Sequence, residues 1–262
     1  MIRTDFSPKT HGFAFANTWK LQEEERQHIH EQFIAYFVGH RFLGLFGVLL
    51  APPIIRLLRR WLIRHLSPVY GLCGGMCFAA LDFFVHGYDL APFRGQNTDD
   101  HPTYGTDLRR YIWDRQLDSL VSDGARFLIW LVFLSYVPTV WPFRGGARWL
   151  LTQSKREWIK LKTYLDAGKP VPIGLTRATR NVFENHQVLA VGYKETDNTH
   201  GTIFIYDPNC PDSESSIHLE FGLQALNGRE SCRTEAPLRG FFCETYSPSD
   251  PSEVIVAGAS DT

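Results

Sequence analysis

The sequence predicts an α+β fold in which helices come first and an antiparallel sheet follows. Three observations lead there. Up to about residue 167 the apolar residues recur at spacings of three and four, whereas beyond Pro170 they fall into short β-rich runs. The helical pattern over 146–167 stops at Gly168, which suits a left-handed cap, and Pro170 forbids continuation. The runs 187–193 and 202–206 are separated by Asp197, Asn198 and Gly201, as in a hairpin. No helix alternates with these strands, so a βαβ repeat is not expected.

In chain order, 11–17 alternates loosely, with Phe13 and Phe15 on one side, and predicts a short strand. A helix follows over about 19–38, charged at first (Glu23, Glu24, Glu25, Arg26) and apolar later. Pro52 and Pro53 break the next apolar run, and a basic amphipathic helix spans about 54–66. An apolar helix begins near residue 73. The stretch 87–105 is a loop by its Gly, Pro, Asn and Asp content. Helices are expected over 106–122 and 146–167, the second with Trp149, Leu150, Trp158, Leu161 and Leu165 inward. After 171–175 and the hairpin, 241–246 is a last strand, and the Ser/Pro/Asp-rich chain from Ser247 reads as loose. This organisation gives a helical extension (1–66), a main domain (67–250) with a helical insertion at about 100–165, and a loose tail (251–262).

A chain of 262 residues can bury a core without disulfides or metals. Its formal charge of −1 carries no signal for nucleic acid. The five cysteines (73, 77, 210, 232, 243) are odd in number and give no complete disulfide framework, so reduced thiols and a cytoplasmic location are expected. No zinc spacing appears, His28, His30, Asp99, Asp100 and His101 read as solvated, and no cofactor is expected. No apolar stretch follows a basic start at the N-terminus, unlike a signal peptide. Spanning a bilayer takes about 20 apolar residues. The run 33–55 is interrupted by His40, Arg41 and two prolines, and 127–141 by Ser135 and Pro138. Buried helices are the expected reading. Peripheral membrane association or protein contact through 33–66 and 127–141 is the alternative, since Arg56, Arg59, Arg60 and Arg64 are interleaved with Leu, Ile and Trp.

The chemistry points to the stretch around Cys73. Gly71, Gly74 and Gly75 surround it, and Leu72, Met76, Ala79, Ala80, Phe83 and Phe84 follow a buried-helix period. Cys73 therefore sits at a helix N-terminus, where unpaired amides and the helix dipole favour a thiolate. His186 opens one predicted strand and Asp207 closes the next, and antiparallel pairing brings such positions together. Asp207 can then orient the imidazole, and His186 can deprotonate Cys73.

These motifs resemble the papain-like cysteine peptidases, and among them the bacteriocin-processing C39-like branch. The resemblance rests on Cys73-Gly74-Gly75 leading a helix, on 168–175, on Asn185-His186-Gln187-Val188 and on Tyr206-Asp207-Pro208-Asn209. It covers about 70–90 and 165–210. It implies a papain-like α+β fold, with an N-terminal helical part carrying the nucleophile helix and a C-terminal antiparallel sheet. It also implies a peptide, amide or acyl substrate attacked through a covalent acyl-enzyme. By position, Cys73 is the nucleophile, His186 the base and Asp207 the orienting acid, with Asn209 a second candidate orienter. Gly74, Gly75, Asn185 and Asn209 would line the substrate and oxyanion side. Two departures stand out. The family's Gln, about six residues before the Cys, is Ser67 here, and a missing oxyanion donor costs about 2.7–4 kcal/mol. Helix amides of Cys73 or Gly74 would have to serve instead. Cys77 offers a second alignment of the nucleophile, but lies a turn inside the helix. A weak or inactive scaffold that binds a partner or membrane is therefore the alternative to a thiol hydrolase or acyl transferase.

Overall fold

The computed structural model describes residues 1–20, 69–120, 145–177, 186–232 and 237–260. Its elements are β1 (Ile2–Arg3), α1 (Pro8–His11), β2 (Trp19–Lys20), β3 (Val69–Tyr70), α2 (Cys73–Val85) and α3 (107–120), then α4 (Gly145–Asp166). Next come β4 (Val171–Arg177), β5 (His186–Glu195), β6 (His200–Tyr206), β7 (Glu214–Phe221), β8 (Leu226–Glu230), β9 (Leu238–Cys243) and α5 (Ser252–Ser260).

The expected stop after α4 is present in full. Gly168 has φ +72, Gly168 N–H donates to Leu165 O and Lys169 N–H to Tyr164 O, the paired bonds of a Schellman cap. This cap reverses the chain and delivers Val171 into the sheet.

The six strands after it close on themselves. They run in the order β5-β4-β9-β8-β7-β6, every pair antiparallel, and β6 pairs back onto β5. The result is a closed six-stranded antiparallel barrel, to which β1 adds on β5 beyond the reach of β4. This corrects the expected fold. The papain-like arrangement, a helical part beside a C-terminal antiparallel sheet, is replaced by a barrel with only a few helices against it. The difference comes from β7 and β8, which the sequence reading left out. Without them, β6 and β9 would be free sheet edges, and closure removes those edges.

Strand alternation sorts the core. Val188 and Ala190 of β5 and Ile203 and Ile205 of β6 join apolar residues from the other four strands and Trp158, Leu161 and Leu165 of α4. The intervening Leu189, Val191 and Tyr206 face α2 instead, packing with Met76, Ala80 and Phe83. Helix α2 buries ten of its 13 residues, consistent with its apolar composition all round.

The N-terminal stretch takes part in the same body. The expected strand over 11–17 does not form, but Phe13 and Phe15 are fully buried and stacked at 4.9 Å. The helix expected from residue 19 does not begin there, since Trp19 and Lys20 pair with Tyr70 and Val69. At the other end, the chain after Cys243 is fastened to α2. Asp82 is fully buried and accepts from Arg115 Nε (2.7 Å), Tyr246 OH (2.6 Å), Tyr111 OH (2.9 Å) and the Ser249 amide (2.9 Å). Arg115 also donates to Ser247 O. The stretches 33–66 and 127–141 lie wholly outside the described residues, so neither the buried helices expected there nor the alternative surface contact is located. Among the described residues, no helix is long and apolar enough to cross a membrane.

Replacing Asp82 strips a buried guanidinium of its main partner, at a cost of about 3–5 kcal/mol. Asp82→Ala should lower the urea midpoint accordingly, read from a denaturation curve with unchanged slope.

Candidate active site

Cys73 is the first residue of α2, after Leu72 at the cap position. The residue as a whole is half-buried. His186 begins β5 and is buried, and Asp207, also buried, directly follows β6. The hairpin register pairs Leu189 with Tyr206 and Ala190 with Ile205. Continued toward the strand ends, that register sets His186 across from Asn209, with Asp207 on the diagonal. The imidazole Nε2 meets Asp207 Oδ1 at 2.6 Å. The ring is also near enough to the Cys73 thiol to lower its pKa, and with Nε2 at the carboxylate, Nδ1 is the nitrogen left for the sulfur. Three residues separated widely in sequence thus meet in the order thiol, imidazole, carboxylate.

Their charges follow from their neighbours. Burial pushes the Cys73 thiol up, but the bond and charge of His186 and the amides of Gln187 and Gly74 outweigh it, leaving the thiol below its usual value. Burial pushes His186 down, and Asp207 and Cys73 more than reverse that, holding the imidazole well above its usual value. Both shifts favour a thiolate–imidazolium pair. Cys77 is the opposite case. Burial, followed by the charges of Cys73, Glu244 and Asp207, holds its thiol well above the usual range. Cys77 is fully buried, with its sulfur 3.7 Å from Gln187 O, and is no rival nucleophile.

The oxyanion side differs from what the sequence suggests. The Gly75 amide is taken, because it donates to Gln116 Oε1 at 3.0 Å. The Gly74 amide faces the sulfur and is the helix-terminal donor beside it. Asn185 lies outside the described residues. Asn209 is at the site, with its Nδ2 3.0 Å from His186 Nε2 and its backbone N–H donating to Asp207 Oδ1 at 2.8 Å.

Sequence reasoning missed a cluster of polar side chains behind the thiol. Gln187 Oε1 lies 3.9 Å from Cys73 Sγ and within 3.5 Å of Gln116 Nε2 and Ser119 Oγ. Gln187 Nε2 donates to the buried Glu244 at 2.6 Å. Gln187 follows His186 and sits on the α2-facing side of β5, so strand alternation alone could have aimed it at Cys73. Gln116 and Ser119 lie on α3, where nothing in their spacing signals the site. Below His186 and Asp207, Arg177 and Glu230 form a buried ion pair at 2.7 Å.

The loop after β6 is tethered. Cys210, three residues past Asp207, is disulfide-bonded to Cys232, with Cα atoms 6.1 Å apart. The expectation of reduced thiols is corrected for these two, while Cys73, Cys77 and Cys243 are not disulfide-bonded. Pairing was hidden in the sequence because Cys232 lies past β8, a strand its composition conceals. Among the described residues, Asp207, Cys210 and Cys232 bring ligating atoms within 4.8 Å of one another, but the disulfide takes two of the three.

Comparison with models of protein families, with curated proteins and with solved structures finds no match to this chain. The resemblance to C39-like peptidases therefore rests on the motifs alone.

Two outcomes test this geometry. A methyl group on Gly74 would lie 2.1 Å from Gln187 Oε1 and 2.4 Å from Ser119 Oγ. Gly74→Ala should therefore lose about 1–3 kcal/mol in chemical denaturation, the usual cost of overpacking. Reduction of the disulfide should destabilise the protein by about 3 kcal/mol, the loop-closure value for a bridge of this sequence separation, measured as a fall in Tm with dithiothreitol.

Proposed function

We propose that the protein is a thiol hydrolase or acyl transferase acting on an amide, peptide or thioester. The observation that carries the reading is the grouping of Cys73, at a helix start, with the hydrogen-bonded His186–Asp207 pair whose imidazole lowers the thiol. In this reading the Cys73 thiolate attacks the substrate carbonyl and the C–S bond forms. The Gly74 amide supports the oxygen as charge develops on it. His186 then gives its proton to the departing amine or thiol as the carbonyl bond to that group breaks. An acyl-enzyme remains, and His186 takes a proton from the water or amine that releases it. What carries over from the C39-like resemblance is this chemistry and not its fold.

A second reading, a weak or silent site on a barrel that binds a partner, has one observation in its favour. The side-chain atom of Gln187 nearest the sulfur is the acceptor Oε1, held so by Glu244, where an efficient site would present a donor. For location, the Cys210–Cys232 bond weighs toward an oxidising compartment and against the cytoplasm expected from composition.

The test is iodoacetamide labelling against pH with peptide mapping, on wild type and His186→Ala. A thiol pulled down by its imidazole labels above its lowered pKa and loses reactivity as pH falls through it. Cys73 should therefore label selectively at pH near 7. In His186→Ala the burial that raises the thiol is left unopposed by the ring, and labelling at that pH should fall by about tenfold or more. Slow labelling of Cys73 that ignores His186 sinks the hydrolase reading in favour of the binding one.

A further inference from the structure

The nucleophile and the acid loop come from different elements, and one side chain from the N-terminal stretch bridges them. Asn17 is nine-tenths buried. Its backbone N–H donates to Pro208 O at 2.9 Å, which anchors it to the turn between Asp207 and Asn209. Its Oδ1 accepts from the Leu72 amide at 2.6 Å and from Trp19 Nε1 at 3.1 Å. Its Nδ2 donates to Asn209 Oδ1 at 3.3 Å. Gly71 leaves the room for this approach, since a methyl there would meet Asn17 Nδ2 at 2.9 Å.

Donor and acceptor identities fix every orientation in this chain of bonds. The Leu72 amide and the Trp19 indole can only donate, so the oxygen of Asn17 must face them. Its nitrogen then faces Asn209, which must answer with its own oxygen. The Asn209 nitrogen is thereby turned to the imidazole, 3.0 Å from Nε2 and 3.4 Å from Nδ1 of His186. Left alone, Asn209 would be free to present its oxygen to an imidazolium, which a positive ring prefers.

We propose that Asn17 is a positioning residue of the site: it locks Asn209 with its amide nitrogen toward His186, and ties the turn before Cys73 to the loop bearing Asp207. This rests on the Cys73–His186 reading above. A nitrogen donor aimed at the ring opposes the imidazolium, so Asn17 tempers the thiolate–imidazolium pair and keeps the two halves of the site in register.

Asn17→Asp tests this because the carboxylate keeps both bonds that Oδ1 accepts and removes only the donor to Asn209. Asn209 then reverses and turns its oxygen to His186. The acidic limb of Cys73 alkylation should move to lower pH by about half a unit, read as about threefold more labelling at a fixed pH on that limb. Asn209→Ala should move the limb the same way, and the double variant should match Asn209→Ala alone, since both act on one contact. A fall in Tm with an unmoved limb makes Asn17 structural only and overturns the proposal. A shift that persists in the double variant beyond Asn209→Ala assigns it to direct charge and overturns the relay. Wild-type labelling that ignores His186→Ala removes the pair itself, a failure of the functional reading that the control arm identifies on its own.

Discussion

Everything at this site depends on the pairing of β5 with β6. That ladder closes the barrel, and its register places the first residue of one strand beside the first residue past the other. His186 and Asp207 meet because of it, without a loop having to fold over to bring them together. A slip by one residue would turn Leu189 and Val191 away from α2 and swing His186 to the wrong face. The register is strongly specified because both faces of β5 are buried, one against the other strands and one against the nucleophile helix.

Much of the site was legible before any coordinates, and the reasons are local. The glycine-flanked Cys73 and the apolar period after it locate a helix start. The β-rich runs at 187–193 and 202–206, with turn residues between them, set up the contact between His186 and Asp207. The fold was less legible because β7 and β8 carry weak signals. Glu214–Phe221 alternates cleanly, with Ser215, Ile217, Leu219 and Phe221 buried, but its polar half resembles a loop. Leu226–Glu230 contains Asn227 and Gly228, which read as a turn. Gly228 is in the strand because Leu238 packs where its side chain would be. Such a choice is made by a neighbour ten residues away and leaves no periodic mark. The tail expected to be loose is held for a similar reason: Ser247, Ser249 and Tyr246 are ordinary loop residues until Asp82 and Arg115 bond to them.

The two cysteines of α2 show how position decides chemistry. They lie four residues apart on one helix, so they share a face. Cys73 stands at the end where amides point outward and an imidazole is in reach, and these offset the cost of burying a charge. One turn further in, Cys77 has burial and three negative neighbours and nothing to compensate. The same residue type is a nucleophile candidate in one place and an inert packing group in the other. The helix is also held at both ends, by Asn17 at Leu72 and by the Asp82 cluster nearly three turns on.

That double anchoring has a consequence for how the protein comes into being. The residue that fixes the start of α2 lies 55 residues before it, and Tyr246 and Ser249, which help to fix its far end, lie 164 and 167 residues after Asp82. His186 and Asp207 are made after Cys73, and the barrel around them is complete only when β9 has joined β4. A ribosome-bound chain therefore carries Cys73 through 186 − 73 = 113 further residues before His186 is made. Contacts this distant in sequence are slow to form, because loop closure precedes any stabilising contact. The imidazole that lowers the Cys73 thiol arrives only with β5, so an unfinished chain holds that cysteine as an ordinary thiol.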